Sequence, residues 1–212
     1  MILTIANQKG GTAKSTTAAA LAQAAAHRGK HCLAIDLDPQ GNLSFFLAAD
    51  TARAGAFEML EGKPARETIQ PTEWGIDTIA ASWNLQTISS GRGSARRLKS
   101  ALKPIAAQYD LIVIDTPPTA GELQYNALMA SDNLIIPLQA DIVGLQGLYQ
   151  MAETIKDRAQ EMGIPFLMAI REAVAIREAQ TLQRSLYEYA PNSKPAADYL
   201  QLLNCISDCK RF

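Results

Sequence analysis

Glycines, lysines and hydroxyl residues near the N-terminus are spaced as in a loop that binds phosphate groups. They follow a short apolar run and open an alanine-rich helix, and they read Asn7-Gln8-Lys9-Gly10-Gly11-Thr12-Ala13-Lys14-Ser15-Thr16. Backbone N–H groups of such a loop and of the helix N-terminus can surround a polyphosphate. Lys14 would reach the β- and γ-phosphates, the Ser15 hydroxyl would ligate Mg²⁺ and Thr16 would reach the α-phosphate. The alternative is a glycine-rich turn with a solvated lysine.

Carboxylates follow two later apolar runs, where parallel strands would place them near this loop. The segment Asp36–Asn42 comes directly after one run, and Asp115 ends another and precedes Thr116-Pro117-Pro118. The carboxyl ends of strands in α/β sheets form the crevice that binds ligands. Asp115 is therefore placed to hold Mg²⁺ directly or through water. The alternative interpretation of Asp36–Asn42 is a capped turn, because Asp-Pro and Gly-Asn are strong turn formers.

Short apolar runs alternate with alanine-rich or amphipathic segments along the chain. Such runs predict strands buried on both faces, and the segments between them predict helices. Strands are predicted at Ile2–Ala6, Cys32–Ile35, Ile76–Ala80, Leu111–Ile114, Leu134–Leu138 and Pro165–Ile170, and helices at 15–28, 94–107, 121–130, 145–161 and 181–189. This alternation predicts an α/β fold, in which a mostly parallel β-sheet carries helices on both faces.

The composition excludes several classes of protein. Of 212 residues, 48% are hydrophobic, which is enough for a core and too many for a disordered chain. There are 20 Lys and Arg against 21 Asp and Glu, and the net charge of -1 excludes a globally basic nucleic-acid coat. The cysteines are scattered, and neither a basic leader nor an apolar run of ~20 residues is present. These features predict a soluble, cytoplasmic protein without structural disulfides.

The strict phosphate-loop pattern G-x-x-x-x-G-K-[ST] is not met, because Gln8 and Ala13 occupy its glycine positions. The loop instead carries a second lysine, in the order Lys9-Gly10-Gly11-x-x-Lys14-Ser15. In this it resembles the deviant Walker A motif of the ParA/MinD family of P-loop ATPases.

Three further segments resemble the same family. Asp36–Asn42 is similar to its D-x-D-P-Q-G-N motif, and Leu111–Pro118 is similar to its Walker B strand and switch segment. Residues Tyr187–Leu200 resemble the C-terminal signature of ParA (Soj-like) partition ATPases. The resemblance therefore covers nearly the whole chain.

The resemblance implies a nucleotide site and its chemistry. ATP and Mg²⁺ are the implied cofactors, and the implied nucleotide-binding residues are Lys9, Gly10, Gly11, Thr12, Ala13, Lys14, Ser15 and Thr16. Ser15, Asp36 and Asp115 would serve the metal. Lys9, Lys14 and Asp38 would be catalytic, with Asp38 positioning the attacking water and Lys9 reaching the partner's nucleotide in an ATP-bound homodimer. The implied reaction is hydrolysis of ATP to ADP and phosphate, slowed by the methyl group of Ala13.

The resemblance also implies partners. The dimer would bind DNA non-specifically in plasmid or chromosome partitioning, respond to a ParB-like centromere-binding protein, and lie on the nucleoid in the cytoplasm. The candidate DNA contacts are a basic run without acids and two later arginines, namely Arg92, Arg96, Arg97, Lys99, Lys103, Arg171 and Arg177. The alternatives are a solvated helix face for the run, and local ion pairs of the two arginines with Glu172 and Glu178.

Two other functions stay open, and the length is anomalous. One is a nucleotide-gated scaffold that barely hydrolyses ATP, for which Ala13 is the motive. The other is a MinD-like membrane-positioning ATPase, which would need a basic amphipathic C-terminal helix. Against the family pattern, residues 1–212 form a single ATPase domain that is one strand–helix unit short between about 150 and 165.

Overall fold

A mostly parallel sheet of six strands runs through the part of the chain described by the computed structural model, which is residues 1–89, 91, 93–137, 168, 170, 171 and 173–208. The strands lie in the order β3-β4-β2-β5-β1-β6, and every neighbouring pair is parallel except β3 and β4. Their bounds are β1 Ile2–Ile5, β2 Cys32–Asp36, β3 Gln70–Pro71, β4 Ile76–Ile79, β5 Leu111–Asp115 and β6 Asn133–Ile135.

Eight α-helices and four short 3-10 helices connect the strands within the described residues. The α-helices are α1 Lys14–His27, α2 Asn42–Phe46, α3 Ala56–Leu60, α4 Arg97–Leu102, α5 Glu122–Ala130, α6 Val174–Thr181, α7 Leu186–Tyr189 and α8 Lys194–Asp208. The 3-10 helices are Ala65–Glu67, Trp83–Thr87, Ser94–Arg96 and Ala106–Gln108. None of the described helices is both long and apolar enough to cross a lipid bilayer.

Alternate residues of the central strands enter two separate cores. In β2, Cys32 and Ala34 belong to the core that holds α1 and α8, whereas Leu33 and Ile35 belong to the core that holds α3, α4 and α5. This follows from the strand geometry, in which successive side chains point to opposite faces. Helices therefore cover both faces of the sheet, and the predicted α/β fold class is confirmed.

The strand predictions hold better than the helix predictions. Four predicted strands lie wholly within the described residues, and a fifth, Leu134–Leu138, lies within them except for residue 138. A strand is present at each of these five places, with ends that shift by a few residues. The helix predicted at 94–107 is instead α4 with a 3-10 turn on either side. The single helix predicted at 181–189 is wrong, because α6 ends at Thr181, Gln183 adopts a left-handed conformation (φ 50°), and Ser185 begins α7 by accepting the Tyr187 N–H.

Several predictions lie outside the described residues. These are the helix at 145–161, most of the strand Pro165–Ile170, the missing unit near 150–165, and Arg92.

The sheet brings the carboxyl ends of three strands together. In the parallel register Asp115 of β5 is opposite both Ile5 of β1 and Asp36 of β2. The chain leaves β1 into the glycine-rich loop and leaves β2 and β5 at their carboxylates, so the candidate functional residues start from adjacent points on one edge of the sheet.

Gly55 fixes the start of α3 against β4, and it permits no side chain. A Cβ atom there would lie 2.2 Å from the Ala80 carbonyl oxygen, to which the Ala56 N–H already donates at 2.8 Å. We expect Gly55→Ala to lower the free energy of unfolding by at least about 2 kcal/mol, measured by urea denaturation.

Gly121 provides the matched control. It also precedes a helix, its φ of 176° is extended, and a Cβ atom there meets nothing within 4 Å. Gly121→Ala should leave stability within about 0.5 kcal/mol of the original. Equal effects at the two glycines would contradict the packing of α3.

Candidate functional site

The loop between β1 and α1 is held in shape by its own polar side chains. The Lys9 N–H donates to Asn7 Oδ1 at 2.9 Å, and Thr12 Oγ1 donates to the Lys9 carbonyl oxygen at 3.3 Å. The Asn7 amide nitrogen also donates to the Pro137 carbonyl oxygen at 2.8 Å, beyond the end of β6. The loop is therefore tied to the sheet edge before α1 begins, and Asn7 is a site residue that the sequence motifs did not single out.

Lys14 is the first residue of α1, and it is only 7% exposed. Its Nζ donates to the Lys9 carbonyl oxygen at 3.4 Å. A buried ammonium group at the positive end of a helix is electrostatically unfavourable unless an anion is near. The position of Lys14 therefore indicates that negative charge belongs at this end of α1.

Ala13 adopts a left-handed backbone conformation, with φ 63° and ψ 31°. For a residue with a Cβ atom this conformation costs roughly 1–2 kcal/mol. The side chain of Ala13 is exposed, so its methyl group is not crowded. The main effect of alanine in place of the motif's glycine is therefore backbone strain at the N-terminus of α1. The loop follows the shape that glycine would favour despite the alanine.

Asp36 is fully buried, and both of its carboxylate oxygens accept hydrogen bonds. Oδ1 accepts the Asp38 N–H at 3.0 Å, and Oδ2 accepts the N–H and hydroxyl of Ser44 at 2.8 and 2.7 Å. Burial raises the pKa of Asp36 to about 6, against the lowering effect of these hydrogen bonds. Asp36 thus anchors the segment that carries Asp38, and Ser44 is a second residue that the motifs did not reveal.

Asp38 lies in a tight turn directly after β2, and it is 6% exposed. Its Oδ1 accepts the Gln40 N–H at 3.0 Å, and its carbonyl oxygen accepts the Gly41 N–H at 2.9 Å. Gly41 takes a positive φ of 68°, as such a turn requires. The motif therefore forms a tight turn, and this turn holds Asp38 next to Asp36.

Asp115 carries the most informative atom of the site. Its Oδ1 accepts the Thr116 N–H at 3.0 Å, whereas its buried Oδ2 has no hydrogen-bond partner in the described structure. Burial raises the pKa of Asp115 well above its usual range, and the charge of Asp36 raises it further. The Ser15 hydroxyl and the Lys14 ammonium group oppose that rise.

The free oxygen of Asp115 and the Ser15 hydroxyl fit a divalent cation. No cluster of three or more His, Cys, Asp or Glu in the described ranges could hold a metal alone. Mg²⁺ commonly needs no such cage, because one or two protein oxygens, phosphate oxygens and water complete its shell. The donor set therefore suits a metal that arrives with a phosphate ligand.

The structure brings together five of the predicted site residues from three elements, namely Lys14, Ser15, Asp36, Asp38 and Asp115. The first four all influence the pKa of Asp115, and the Asp38 N–H also donates to Asp36. Thr12 is buried in the loop and Thr16 is half-buried in α1, while Lys9, Gly10 and Gly11 lie on the exposed outer side of the loop.

The predicted DNA contacts that fall within the described residues lie on two different faces of the sheet, around α4 on one face and around α6 and α8 on the other. Arg96, Lys99 and Lys103 are exposed around α4, while Arg97 forms an ion pair with Glu61 at 2.9 Å. Arg177 is exposed on α6.

Arg171 is committed elsewhere. Its guanidinium group binds both carboxylate oxygens of the buried Asp198, and its N–H donates to the same carboxylate at 3.1 Å. This contact lowers the pKa of Asp198 and fastens Arg171 to α8. Asp198 is thus its partner in the described structure, and the sequence did not predict that pair.

Three buried carboxylates at one sheet edge should make the ligand-free protein less stable than it would be without them. We expect Asp115→Asn to raise the free energy of unfolding at neutral pH by about 1–3 kcal/mol, because it removes one of three buried acidic groups. Denaturant unfolding without nucleotide or Mg²⁺ measures this, and the exposed Glu73→Gln is the control.

The raised pKa of Asp36 also fixes the sign of the pH dependence. Folding favours the protonated form of Asp36. Its contribution to the free energy of unfolding is therefore complete below the unfolded-state pKa of 3.8 and is lost as the pH rises through the folded-state pKa of about 6. The melting temperature of the ligand-free protein should therefore fall between about pH 5 and about pH 7. A rise over that interval, or destabilisation by Asp115→Asn, would contradict the charge arrangement.

Sequence comparisons point to one family. The family described as "AAA domain" matches residues 1–165. The chromosome partitioning protein ParA of Myxococcus xanthus is 39% identical over 162 residues, which are 73% of this chain and 57% of that protein. The chain spans 57%, 61% and 64% of the length of three such curated relatives, so it corresponds to about three fifths of them.

Solved structures agree with the sequence match. The cell division ATPase MinD of Pyrococcus furiosus shares the fold, with a TM-score of 0.79 at 22% identity and 98% of each chain covered. Cobyrinic acid a,c-diamide synthase of Mycobacterium smegmatis, with bound ADP and magnesium, has a TM-score of 0.72 at 28% identity and covers 99% of this chain and 95% of its own. With its loop, its carboxylates and its matched sequence, the chain belongs to the ParA/MinD family of P-loop ATPases.

Proposed function

We propose that this chain is a Mg²⁺-dependent ATPase that partitions DNA. Two observations together carry the proposal: Lys14 is buried at the start of α1, where its charge lowers the pKa of Asp115, and one buried oxygen of Asp115 at the end of β5 has no partner in the described structure. A phosphate-bearing ligand with its cation satisfies both groups at once. ATP and Mg²⁺ are the pair predicted from the sequence, and the similar synthase structure holds ADP and magnesium.

The residues of the loop would bind and orient the triphosphate. The N–H groups at the start of α1 would bind the phosphates, and Lys14, which is 7% exposed, would neutralise their charge in a place largely shielded from water. The Ser15 hydroxyl and Asp115 would hold Mg²⁺, which neutralises charge on the transferred phosphoryl group when it is bound.

We assign different roles to Asp36, the last residue of β2, and to Asp38, which follows it. Among the described residues only Oδ1 of the Asp38 carboxylate accepts a hydrogen bond, so we assign Asp38 the orientation of a water molecule for in-line attack. Asp36 has both oxygens engaged, so we assign it the positioning of Asp38 and Ser44 in place of direct contact with the metal. Phosphoryl transfer to water then depends on positioning and charge neutralisation.

The wider function follows from the relatives and from exposed residues. Lys9 is an exposed residue of the loop, and we assign it the contact with the nucleotide of a second copy in an ATP-bound dimer. Two curated relatives are named chromosome-partitioning proteins, which supports DNA as the cargo. We extend the proposal to non-specific DNA binding by the dimer, stimulation by a ParB-like partner, nucleoid association in the cytoplasm, and one domain over 1–212.

The Lys14→Ala variant tests the nucleotide site. It should lose ATP-dependent dimerisation, measured by size-exclusion chromatography with light scattering, and its phosphate release should fall by at least about 100-fold, because its buried charge is missing. Lys99→Ala, which removes an exposed lysine from the far side of the sheet, is the control and should behave as the original. An unchanged ATP-induced dimer in Lys14→Ala would refute the assignment.

A second function, a nucleotide-gated scaffold with little turnover, is favoured by one observation. Ala13 holds the left-handed conformation at the N-terminus of α1, where the strain opposes the tightly wrapped loop that phosphate binding needs. A protein that binds ATP and changes its partners without hydrolysis would tolerate such strain.

The Ala13→Gly variant separates the two functions. Removal of the strain should raise stability by up to about 1 kcal/mol, since the gain is offset by the greater unfolded-state freedom of glycine. For the ATPase, turnover is measurable before the change and rises only a few-fold. For the scaffold, phosphate release is undetectable in the original and appears only in Ala13→Gly. Gly121→Ala controls for the handling of the protein.

A further inference from the structure

A groove lies between α3 and α4, on the face of the sheet opposite α1. Its volume is about 710 Å³, which is within the range of ligand-binding clefts. Its floor is apolar, and the residues that form it include Met59, Ile69, Ala101, Pro104 and Ile105. Three of these, Ile69, Ala101 and Pro104, are partly or fully exposed, so the groove offers apolar surface to a ligand.

Cations surround this floor. Lys63, Arg66, Arg96 and Arg97 line the groove, and the first three are exposed. No Asp or Glu occurs among the described residues that line it. Lys63 and Arg66 come from the turn after α3, and no pattern in the sequence indicated that folding places them beside Arg96 and Arg97. The groove therefore combines an apolar floor with a positive rim.

Contacts at both walls hold the groove open. Arg97 on α4 bonds Glu61 at the end of α3 at 2.9 Å, so an ion pair spans the two walls. The Leu98 N–H donates to the side chain of the fully buried Asn126 at 3.0 Å, which fixes the start of α4 on α5. A cleft formed in advance in this way spares a ligand the cost of ordering it.

The apolar floor and the positive rim together favour one of two classes of anionic macromolecule as the occupant of the groove. Duplex DNA presents phosphates to cations on an open surface and gains nothing from an apolar floor. A peptide that carries acidic and apolar side chains on neighbouring positions uses both features, as helices that lie in grooves do. We propose that the α3–α4 groove binds an acidic amphipathic peptide segment of a partner protein.

This proposal is independent of the nucleotide site. None of the residues that line the groove belongs to the loop or to the carboxylate cluster. The groove is formed by α3, α4 and the turns beside them, so the peptide site would survive even if the chain bound no ATP.

The test uses the full chain and defined probes. The first probe is a fluorescein-labelled helical peptide with leucines at i, i+3, i+4 and i+7 spacing and glutamates elsewhere. The second has the same composition in scrambled order, the third replaces each glutamate by lysine, and the fourth is a labelled DNA duplex of mixed sequence. Fluorescence anisotropy measures the affinity of each, with circular dichroism to confirm that every variant is folded.

Charge reversal at the rim should weaken the acidic amphipathic peptide specifically. We expect the double variant Lys63→Glu/Arg66→Glu to bind it at least about tenfold more weakly, while Lys99→Glu, which reverses an exposed charge of α4 outside the groove, retains its affinity. Ala101→Glu, which places an acid on the floor, should weaken it as well. The scrambled and lysine peptides should bind weakly to all of these proteins.

Three results would overturn the proposal. One is absence of binding by the acidic amphipathic peptide. Another is equal binding by the scrambled peptide, which would show that the apolar floor takes no part in binding. The third is tighter binding of the DNA duplex than of the acidic amphipathic peptide, together with loss of DNA binding in the Lys63→Glu/Arg66→Glu variant. That result would make the rim a nucleic-acid surface.

Discussion

Electrostatic repulsion between buried acids is the constraint on which the functional edge of this protein depends. The register of β2 and β5 sets Asp36 directly opposite Asp115, and both side chains are fully buried. Such a pair persists only where donors and cations surround it. Ser44 and the Asp38 N–H serve Asp36, while Ser15, Lys14 and the Thr116 N–H serve Asp115. One oxygen of Asp115 has no hydrogen-bond partner among the described residues. This free oxygen makes the edge suited to a cation that is bound together with an anion.

The two faces of the sheet serve different purposes around this edge. The face covered by α1 and α8 supports the loop, and Thr17 of α1 lies 3.4 Å from the Tyr199 hydroxyl of α8. The opposite face, covered by α3, α4 and α5, carries the groove with the cationic rim. Asn126 of α5, the helix that follows Asp115 along the chain, accepts the Leu98 N–H at one wall of that groove. We thus assign a nucleotide site to one edge of the sheet and a docking surface to one of its faces.

The sequence predicted what local pattern and motif order determine. Continuous apolar runs predicted the strands, and the ordered motifs placed Asp36, Asp38 and Asp115 at neighbouring strand ends and Lys14 at the start of the helix after β1. It did not predict the groups that long-range packing supplies. Ser44 reaches Asp36 from a short helix without a strong pattern, Asp198 meets Arg171 across 27 residues, and Lys63 joins Arg96 only through the packing of α3 on α4. The break after Thr181 was missed because a left-handed Gln183 has no sequence signal comparable to glycine.

We assign the free oxygen of Asp115 to a cation that accompanies a nucleotide. Isothermal titration calorimetry of ATP into the full chain, with Mg²⁺ and then with the metal chelated, tests this assignment. We expect one ATP bound per chain, with affinity at least about tenfold weaker when Mg²⁺ is removed, because Asp115 and the phosphates then repel each other. Equal ATP affinity with and without Mg²⁺, or no ATP binding at all, would contradict it.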